Sequence, residues 1–371
     1  MERYDAVVVG VGGMGSAALY HLARRGKRVL GLERFDLLHD RGSSHGLTRI
    51  IRLAYFEHPD YVPLLRRAYE LWRELEAEAG ERLLHVTGIV EGGDRILEGV
   101  LRSCAEHDLD HEVLDGVEVG RRFPAYRLPA ELEVVHQPDG GFVVPERCIV
   151  AHVEGALARG AVLRARERVL EWDETESGVR VRTDRGTLEA GHLVLTAGAW
   201  SQDVARLSGG SVKAVRQALA WFQPSCPEHF TPERMPVFNL VVEGDHFYGF
   251  PAYGIPGVKL GRYERQGESG DPDAISREPT LDDELPLRLF AERYLADGAG
   301  PTVALKTCLF ELTPDEHFII GRHPEAPNAV VGAGFSGHGF KFCSVVGEIL
   351  ADLALDGETR HDIALFRFDR F

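Results

Sequence analysis

A glycine triplet near the start of the chain constrains the fold more than any other feature. Residues 6–9 form an apolar run that predicts a buried parallel strand, and Gly10-Val11-Gly12-Gly13-Met14-Gly15 follows it directly. We predict a helix over residues 16–25, ended by Gly26, and a second strand over residues 28–32. Strand, glycine turn, helix and strand in this order predict a βαβ unit that binds the ADP half of a dinucleotide.

Each glycine of the triplet has a physical role in such a unit. Gly10 permits the tight turn, Gly12 lets the backbone approach the pyrophosphate, and Gly15 lets the helix and strand pack closely. The phosphates then meet the positive end of the helix dipole. Glu33, at the end of the second strand, is placed to accept hydrogen bonds from ribose hydroxyls, and an acid there disfavours a 2′-phosphate. A glycine-rich turn without a ligand is the alternative; otherwise the pattern predicts FAD or NAD rather than NADP.

The rest of the chain alternates between two kinds of pattern. Strand–helix patterns occur at the beginning, middle and end, and strand-rich, turn-rich stretches interrupt them twice. We therefore predict a two-lobed α/β fold, with a discontinuous Rossmann-like dinucleotide domain and an inserted sheet-rich substrate domain. The dinucleotide domain is predicted to comprise residues 1–82, 145–214 and 306–371, and the substrate domain residues 83–144 and 215–305.

Hydrophobic periodicity predicts the elements within these segments. Helices are predicted at 61–79, 147–159, 285–295 and 345–353, and the stretch 83–144 is predicted to be short and irregular. Strands are predicted at 162–170, 179–183, 192–196, 218–222, 247–250, 258–260 and 329–331.

Charge and cysteine usage restrict the partners. Lys and Arg total 42 against 58 Asp and Glu, a formal net charge of -16, which argues against nucleic acid and anionic lipid as partners. The start of the chain lacks the features of a signal peptide, and no apolar run is long enough to span a bilayer. Five cysteines stand without metal or disulfide spacing, so we expect a reduced cytoplasmic protein with no bound metal.

Two segments have the character of a cofactor or anion site. Residues 193–200 run from an apolar strand into the small residues Ala197 and Gly198, which suits either packing against a cofactor or a tight strand-to-helix crossover. In Gly42–Arg52 a helical conformation would place His45, Arg49 and Arg52 near one face, where they could stabilise negative charge on a reduced ring. An ordinary solvated basic stretch is the alternative for the second segment.

The C-terminal part carries a glycine-rich run that leads into an apolar helix. The glycines of residues 332–339 leave flat backbone that can approach a planar ring, and the helix start offers N–H groups to developing negative charge. Cys308 lies upstream of this run. Taken alone, it is typical of a buried structural thiol.

Taken together, these motifs resemble the monomeric sarcosine oxidase family, which includes N-methyltryptophan oxidase, within the D-amino-acid-oxidase-type flavoproteins. The likeness extends over the whole chain. It rests on five runs: G-S-x-H-G-x-T-R-I-I-R, Y-G-F-P, K-L-G, T-P-D-E-H-F-I-I and G-F-S-G-H-G-F-K-F. The resemblance implies a monomeric FAD enzyme that converts sarcosine, O2 and water into glycine, formaldehyde and hydrogen peroxide.

The resemblance also implies roles around the cofactor. Cys308 would hold the flavin through a thioether to its 8α carbon, and Arg49, with His45, would lie beside the isoalloxazine ring. The reduced ring would be stabilised by Arg49, Lys341 and the helix start. The implied cofactor-binding set beyond the glycine triplet and Glu33 is Ser43, Ala197, Gly198, Cys308, Gly337, His338, Gly339 and Lys341.

Substrate and oxygen contacts are implied in the same way. Arg52 and Lys341 would clamp the substrate carboxylate, as a guanidinium fork and an ammonium suit an anion. Tyr248 would line the substrate cavity. Lys259 would be the oxygen-activating cation, because a fixed positive charge beside a reduced flavin stabilises superoxide as it forms. The alternative for Lys259 is a plain strand lysine that points to water.

Two positions depart from the family pattern. Tyr263 stands where the family has an active-site histidine, and Phe310 stands where it has a tyrosine. Both belong to the implied substrate pocket, so a bulkier N-methyl amino acid or a cyclic imino acid is an alternative to sarcosine. More distant alternatives are an NAD-dependent dehydrogenase, in which Cys308 would be inert, and a flavin-binding subunit without turnover.

Overall fold

The computed structural model describes the backbone of residues 2–371 and their side chains apart from those of 94, 95 and 209. The helices are α1 Gly13–Arg24, α2 Tyr61–Ala79, α3 Asp94–His107, α4 Gly116–Arg122, α5 Pro145–Leu157, α6 Ser201–Val204, α7 Leu281–Tyr294 and α8 Cys343–Leu355. The strands of the N-terminal part are β1 Glu2–Val9, β2 Val29–Leu32, β3 Arg49–Ile51, β4 Leu84–Val86, β5 Ile89–Gly92, β6 Glu112–Leu114, β7 Val134–Gln137 and β8 Gly141–Val143. Those that follow are β9 Val162–Arg164, β10 Val169–Thr175, β11 Gly178–Thr183, β12 Thr187–Leu195, β13 Lys213–Phe222, β14 Val237–Val242, β15 Asp245–Phe250, β16 Val258–Arg262, β17 Thr302–Leu312, β18 Ile319–His323 and β19 Ala326–Ala333.

The glycine triplet directly follows β1, a strand of the first large sheet. Its eight strands include the path β10-β11-β12-β1-β2-β9, and β19 pairs with the end of β12 and with β18. The strands β9, β2, β1, β12 and β19 run parallel, with Val9 opposite Leu195 and Leu195 opposite Val331. The carboxyl ends of β1, β12 and β19 therefore lie side by side at one edge of the sheet.

Helices cover one face of this sheet because their apolar sides are continuous with its buried side chains. The helix α1 packs on both α5 and α8, and α2 packs on the same two helices. The fully buried ring of Trp72 lies in this layer and donates through its indole N–H to the Lys341 carbonyl oxygen at 2.9 Å. The sheet and its helices thus position the segment that carries Lys341.

The second large sheet is mostly antiparallel and follows the order β17-β13-β16-β15-β14-β5-β7-β6. Its core packs around Phe238, whose ring stacks on Phe290 of α7 at 5.3 Å between centroids. A third, small sheet has the strand order β3-β8-β4. Of the helices within residues 2–371, none is both long and apolar enough to cross a membrane.

The predicted α/β fold with a Rossmann-like dinucleotide unit is confirmed. The helix predicted over residues 61–79 has those bounds, and the others deviate by a few residues at their ends. The prediction that 83–144 is short and irregular is wrong, because α3 and α4 lie there. The N-cap of α3 is Gly93, which offers no side-chain cap that would mark the start of the helix in the sequence.

Two further predictions differ from the structure. The single strand predicted over 162–170 is divided into β9 and β10, because Arg166 has a φ of 55° and breaks the extended backbone. The helix considered for Gly42–Arg52 does not form. Gly46 and Leu47 have φ values of 96° and 70°, which excludes a right-handed helix there, and β3 follows.

Candidate active site

Three small-residue loops meet at the carboxyl edge of the first sheet. They follow β1, β12 and β19 and contain Gly10, Ala197 and Gly337. The Thr196 hydroxyl joins the first two, because it donates to the Val9 and Gly10 carbonyl oxygens at 3.1 and 2.9 Å. The convergence of such loops at this edge is the usual ligand position in open parallel sheets.

A cavity of about 460 Å³ lies along these loops. Its wall includes the predicted residues Gly10, Gly12, Glu33, Ser43, Arg49, Ala197, Gly198, Gly337 and Gly339. The Glu33 carboxylate is held by the Val11 and Phe35 amides, each at 2.9 Å. Each carboxylate oxygen has two lone pairs, so both keep acceptor capacity for ribose hydroxyls. The size of the cavity and the polar groups in its wall fit a dinucleotide.

The glycine triplet has the tight geometry that such a ligand requires. Gly10 has a φ of 85°, and a Cβ there would lie 2.5 Å from the Thr196 carbonyl oxygen. A Cβ on Gly15 would lie 1.8 Å from the Gly10 carbonyl oxygen, so helix and strand pack without room for a side chain. A Cβ on Gly12 would meet only the Ser44 hydroxyl oxygen within 4 Å, at 3.6 Å, which leaves its backbone open to the cavity.

A second, smaller cavity of about 80 Å³ adjoins the first. Four residues line both: Arg49, Phe310, Gly337 and Phe340. The smaller cavity is also lined by the predicted residues Arg52, Tyr248, Tyr263, Cys308, His338 and Lys341. The fold therefore brings together residues that the sequence spreads from Arg49 to Lys341.

Arg49 closes the irregular segment that precedes β3. Its guanidinium donates to the Ser43 carbonyl oxygen at 2.6 Å and to the Thr48 carbonyl oxygen at 2.8 Å, and it also donates to the His45 carbonyl oxygen. The Glu146 carboxylate, at the start of α5, accepts from the Gly46 amide at 2.6 Å. These contacts hold a loop without regular structure in one conformation.

Lys259 is buried, with 2% of its surface exposed, which excludes the alternative of a plain strand lysine that points to water. Its ammonium donates to the Gly46 and Thr48 carbonyl oxygens at 2.7 and 2.9 Å and lies 4.6 Å from the centroid of the Phe250 ring. Burial, with the positive charge of Arg49, lowers the pKa of Lys259 well below its ordinary value. Lys259 lines neither cavity and lies behind the loop that carries Arg49.

His45 lies in the same region. Its ring is 4% exposed, and neither ring nitrogen has a hydrogen-bond partner. Burial, with the charges of Arg49 and Lys259, lowers the pKa of His45 to about 3, so the imidazole is neutral at physiological pH. It lines neither cavity in this structure.

Cys308 lies on β17 with 2% of its surface exposed. Burial raises the pKa of its thiol, and the nearby cations Arg49 and Lys259 oppose that rise. A second buried cysteine, Cys343, lines the larger cavity. Each cavity therefore has one buried thiol in its wall, Cys308 in the smaller and Cys343 in the larger.

The predicted carboxylate clamp is built into a buried ion cluster. Arg52 lies 2.6 Å from a Glu57 carboxylate oxygen and 3.1 Å from a Glu91 carboxylate oxygen. The Lys341 ammonium donates to the His338 carbonyl oxygen at 2.7 Å. Burial, together with the charge of Arg52, lowers the pKa of Lys341 to about 7.

The two positions that depart from the family pattern lie against each other and against the glycine loop. The Tyr263 hydroxyl donates to the Ser336 carbonyl oxygen at 2.9 Å, and its ring centroid is 5.5 Å from that of Phe310. A Cβ on Gly337 would lie 2.4 Å from the Phe310 ring. Tyr248 completes this aromatic wall of the smaller cavity.

Several polar residues of the site were not predicted. Glu57, Asn239, His246 and Glu316 line the smaller cavity, and Glu311 lines the larger one. Burial raises the pKa of Glu311 to about 7. An acid within the apolar run Cys308–Leu312 was the available signal. For Glu91, the corresponding signal was an acid that ends the apolar run of β5.

The spacing of the cysteines predicted no metal site, but the fold brings three potential ligands together elsewhere. Cys226, His229 and Asp297 each place one ligand atom within 4.8 Å of the others. None of the three lines either cavity.

Comparison with known proteins gives consistent matches over the whole chain. The family model for FAD dependent oxidoreductases (DAO) matches residues 5–353. The monomeric sarcosine oxidase of Streptomyces avermitilis is 43% identical over 98% of this chain and 96% of that protein. The N-methyl-L-tryptophan oxidase of Yersinia pestis is 32% identical, over 99% of each chain. The structure of NikD, described as an unusual amino acid oxidase essential for nikkomycin biosynthesis, superposes with a TM-score of 0.87 at 31% identity and covers 99% of this chain and 98% of that one.

Proposed function

The chain belongs to the DAO family of FAD-dependent oxidoreductases, and from this premise we propose that it is an oxidase of secondary amino acids that acts on sarcosine. Its products would be glycine, formaldehyde and hydrogen peroxide. The observation that carries the proposal is the junction of a dinucleotide-sized cavity with a small cavity that holds Arg52 and Lys341.

FAD supplies the redox chemistry when bound, as acceptor of the substrate's hydride equivalent and donor to O2. On our proposal Glu33 and the glycine triplet hold its ADP end, in the cavity where the Val11 and Phe35 amides fix the Glu33 carboxylate. Gly337 and Gly339 would leave room for a planar ring, since both line the larger cavity. The remaining cofactor contacts proposed are Ser43, Ala197, Gly198, His338 and Lys341.

Covalent attachment to Cys308 is proposed as the finer feature of the cofactor site. Its support is the position of this thiol at the wall of the smaller cavity, next to Arg49, which lines both cavities. Arg49 and Lys259 would favour the thiolate form of Cys308, against the effect of burial. Thioether formation would replace a C–H bond of the 8α methyl group by a C–S bond, with the flavin as the acceptor of the two electrons and O2 as the final oxidant. His45 would support the ring as a neutral side chain beside Arg49.

The substrate's carboxylate would be bound by Arg52 and Lys341. Both side chains are 3% exposed, so an anion bound between them is shielded from water. Its electrostatic attraction to the two cations is therefore strong. Tyr248, Tyr263 and Phe310 would enclose the rest of the molecule and exclude water.

The volume of the smaller cavity supports a compact substrate. At about 80 Å³ it is smaller than the roughly 150 Å³ cavity that accepts benzene in an engineered protein core. An indole side chain would need more room than this, which argues against a bulky N-methyl amino acid. Proline, whose ring adds little volume to the backbone atoms, is the second candidate.

Lys259 is proposed to promote the reaction with oxygen through its charge. A buried ammonium held by fixed carbonyl oxygens does not need to reorganise when negative charge develops nearby. Arg49 would add a second fixed positive charge at the junction of the cavities.

The proposal also covers the oligomeric state, the localisation and the division into domains. We propose that the protein acts as a monomer in the cytoplasm, since its five cysteines are all free and the Streptomyces avermitilis relative is named a monomeric sarcosine oxidase. We also propose the division into a discontinuous FAD domain (1–82, 145–214 and 306–371) and a substrate domain (83–144 and 215–305). The strand β17 begins in the second of these and ends in the first.

A peroxide assay tests the proposed function. Sarcosine, proline and N-methyltryptophan are supplied to the purified FAD-loaded protein, with Arg52→Met as the variant and Arg102→Met, an exposed helix arginine, as the matched control. We expect sarcosine to be turned over best and Arg52→Met to raise its KM at least 100-fold, while Arg102→Met behaves as wild type. Absence of peroxide with all three substrates would contradict the proposal.

A further inference from the structure

Two cations and two carboxylates are buried together at the smaller cavity, and three of these four residues line it: Arg52, Glu57 and Lys341. Arg52 and Lys341 are each 3% exposed and Glu91 is 1% exposed, while the Glu57 side chain is 12% exposed. The Arg52 guanidinium bridges the acids, at 2.6 Å from Glu57 and 3.1 Å from Glu91. When all four groups are ionised, their charges sum to zero, so the cluster has no spare positive charge for an incoming anion.

Glu91 is the less well satisfied of the two acids. It is on β5, between β14 and β7, and one of its carboxylate oxygens accepts from the Asn239 side-chain amide at 3.1 Å. Its other carboxylate oxygen is buried without a hydrogen-bond partner. A buried anionic oxygen without a donor is costly, whereas a carboxyl group that carries a proton on this oxygen removes that charge.

The two acids consequently have different proton affinities. Burial raises the pKa of Glu91 to about 7, although Arg52 and Asn239 oppose the rise. Burial acts in the same direction on Glu57, but the charges of neighbouring groups, Arg52 first and Lys341 among them, together outweigh it and hold the pKa of Glu57 below its ordinary value. Glu57 therefore stays ionised near neutral pH while Glu91 can exchange its proton.

We propose that Glu91 is a positioning residue that takes up a proton when the substrate's carboxylate binds to Arg52. This inference rests on the proposed function, which assigns that carboxylate to Arg52 and Lys341. In the binding reaction, the enzyme with all four groups ionised combines with the substrate anion and one proton from solvent. The product is a complex in which Glu91 is neutral. In this complex the charges of Arg52 and Lys341 are balanced by Glu57 and the substrate.

The other groups that face Glu91 do not replace it in this role. Tyr55, Tyr69 and Cys104 all have pKa values raised by burial, so they are neutral at physiological pH and have no proton to gain. His246 is one side chain further away, since its ring contacts the Asn239 side-chain oxygen. Lys341 is the one competitor, since its lowered pKa would also let it gain a proton, and the test must separate the two.

Calorimetry with methoxyacetate tests the proposal. This anion has the shape of sarcosine with an ether oxygen in place of the amine, and it offers no amine to oxidise. Binding to the FAD-loaded protein is measured at pH 8 in buffers of different ionisation enthalpy, and the slope of the heat against that enthalpy counts the protons taken up. We expect Glu91→Gln to take up about one proton fewer than wild type, because any uptake by Lys341 is common to both proteins.

Variants of matched chemistry make the result decisive. Glu91→Asp keeps a titrating group and should keep the proton uptake, and Glu112→Gln, the same change at an exposed acid of the same sheet, should leave it unchanged. Between pH 7 and 9 the wild-type Kd should weaken by up to about 10-fold per pH unit, with a flatter dependence in Glu91→Gln. Undiminished proton uptake in Glu91→Gln would assign the proton to Lys341 and overturn the proposal.

The failure of this inference is distinguishable from failure of the proposed function. If methoxyacetate binds and sarcosine yields peroxide but uptake is independent of Glu91, only the inference is lost. If neither wild type nor any variant binds methoxyacetate and no substrate yields peroxide, both are overturned. Should Glu91→Gln fail to retain FAD, Glu91→Asp decides the matter: a pH dependence of Kd shifted from that of wild type supports the assignment to residue 91, and an unchanged pH dependence overturns the proposal.

Discussion

Arg49 and Lys259 donate to the same carbonyl oxygen, that of Thr48, at 2.8 and 2.9 Å. The two residues come from different sheets, since Arg49 starts β3 and Lys259 lies on β16. A shared acceptor keeps two positive charges close together in a buried place. Each is partly compensated by carbonyl dipoles rather than by a carboxylate, so their combined field remains available to a reduced cofactor.

Replacing Lys259 by Met tests the role of its charge. We expect reoxidation of the reduced enzyme by O2 to slow about 100-fold or more, while reduction by sarcosine changes far less, because superoxide formation needs the fixed cation. Stopped-flow measurement of the two half-reactions separates them. Lys306→Met, at an exposed lysine of β17, is the control, and equal slowing of both half-reactions would contradict the role.

The pH dependence of reoxidation should follow the charge of Lys259. Burial and Arg49 lower its pKa, so the ammonium is lost at a lower pH than in an exposed lysine. The rate should therefore be high at low pH and fall as the pH rises through the pKa of Lys259. Arg49→Gln should move this fall to higher pH because it removes a like charge; a rate that increases with pH would exclude Lys259 as the cation.

Cysteine substitutions test covalent attachment. After acid precipitation we expect a yellow pellet from wild type and from Cys343→Ser, and a colourless pellet with free flavin in solution from Cys308→Ser. Both thiols are buried at a cavity wall, so the pair controls for general effects of losing a thiol there. Flavin released from wild type would show that it is not tethered.

The Tyr263 hydroxyl should stabilise the glycine loop that follows β19. Tyr263→Phe removes its hydrogen bond to the Ser336 carbonyl oxygen, which is 2.9 Å away. Loss of such a bond costs about 1 kcal/mol, or roughly 2 °C in Tm for a chain of this size. Thermal unfolding measures the change, and Tyr253→Phe is the control. An unchanged Tm together with altered sarcosine KM would assign Tyr263 to the substrate alone.

Glu311 should make stability depend on pH. Burial raises its pKa from 4.5 to about 7, so folding favours its protonated form. This contribution to the free energy of unfolding is complete below pH 4.5 and is lost as the pH rises through 7, a change of about 3 kcal/mol. We expect urea unfolding to show that the free energy of unfolding of wild type is lower at pH 8 than at pH 5. In Glu311→Gln this contribution should be the same at both pH values.

Glu91 also has a pKa raised to about 7, and it contributes to the pH dependence of stability in the same way. Because Glu91 is present in both wild type and Glu311→Gln, its contribution cancels when the two proteins are compared. Glu131→Gln, at an exposed acid, should follow the wild-type dependence. Parallel curves for wild type and Glu311→Gln would mean that Glu311 does not gain a proton on folding.

Local patterns predicted much of the fold correctly because they report on local causes. The helix at Tyr61–Ala79 was predicted with its bounds since its apolar residues recur at helical spacing and Gly80, with a φ of 66°, ends it. The segment at Gly42–Arg52 was different. Its spacing fitted a helix, but Gly46 and Leu47 adopt left-handed conformations that contacts with Glu146 and Lys259 hold in place.

The sequence by itself determined the dinucleotide unit. Gly10, Gly15 and Glu33 act within one short βαβ segment, where backbone sterics and chain connectivity leave few arrangements. Only the tertiary structure decided which charges meet at the other end of the site. The contacts of Arg52 with Glu91, and of Lys259 with the Thr48 carbonyl oxygen, join residues far apart in the chain. Strand order and register set them, together with the requirement that buried charges find partners.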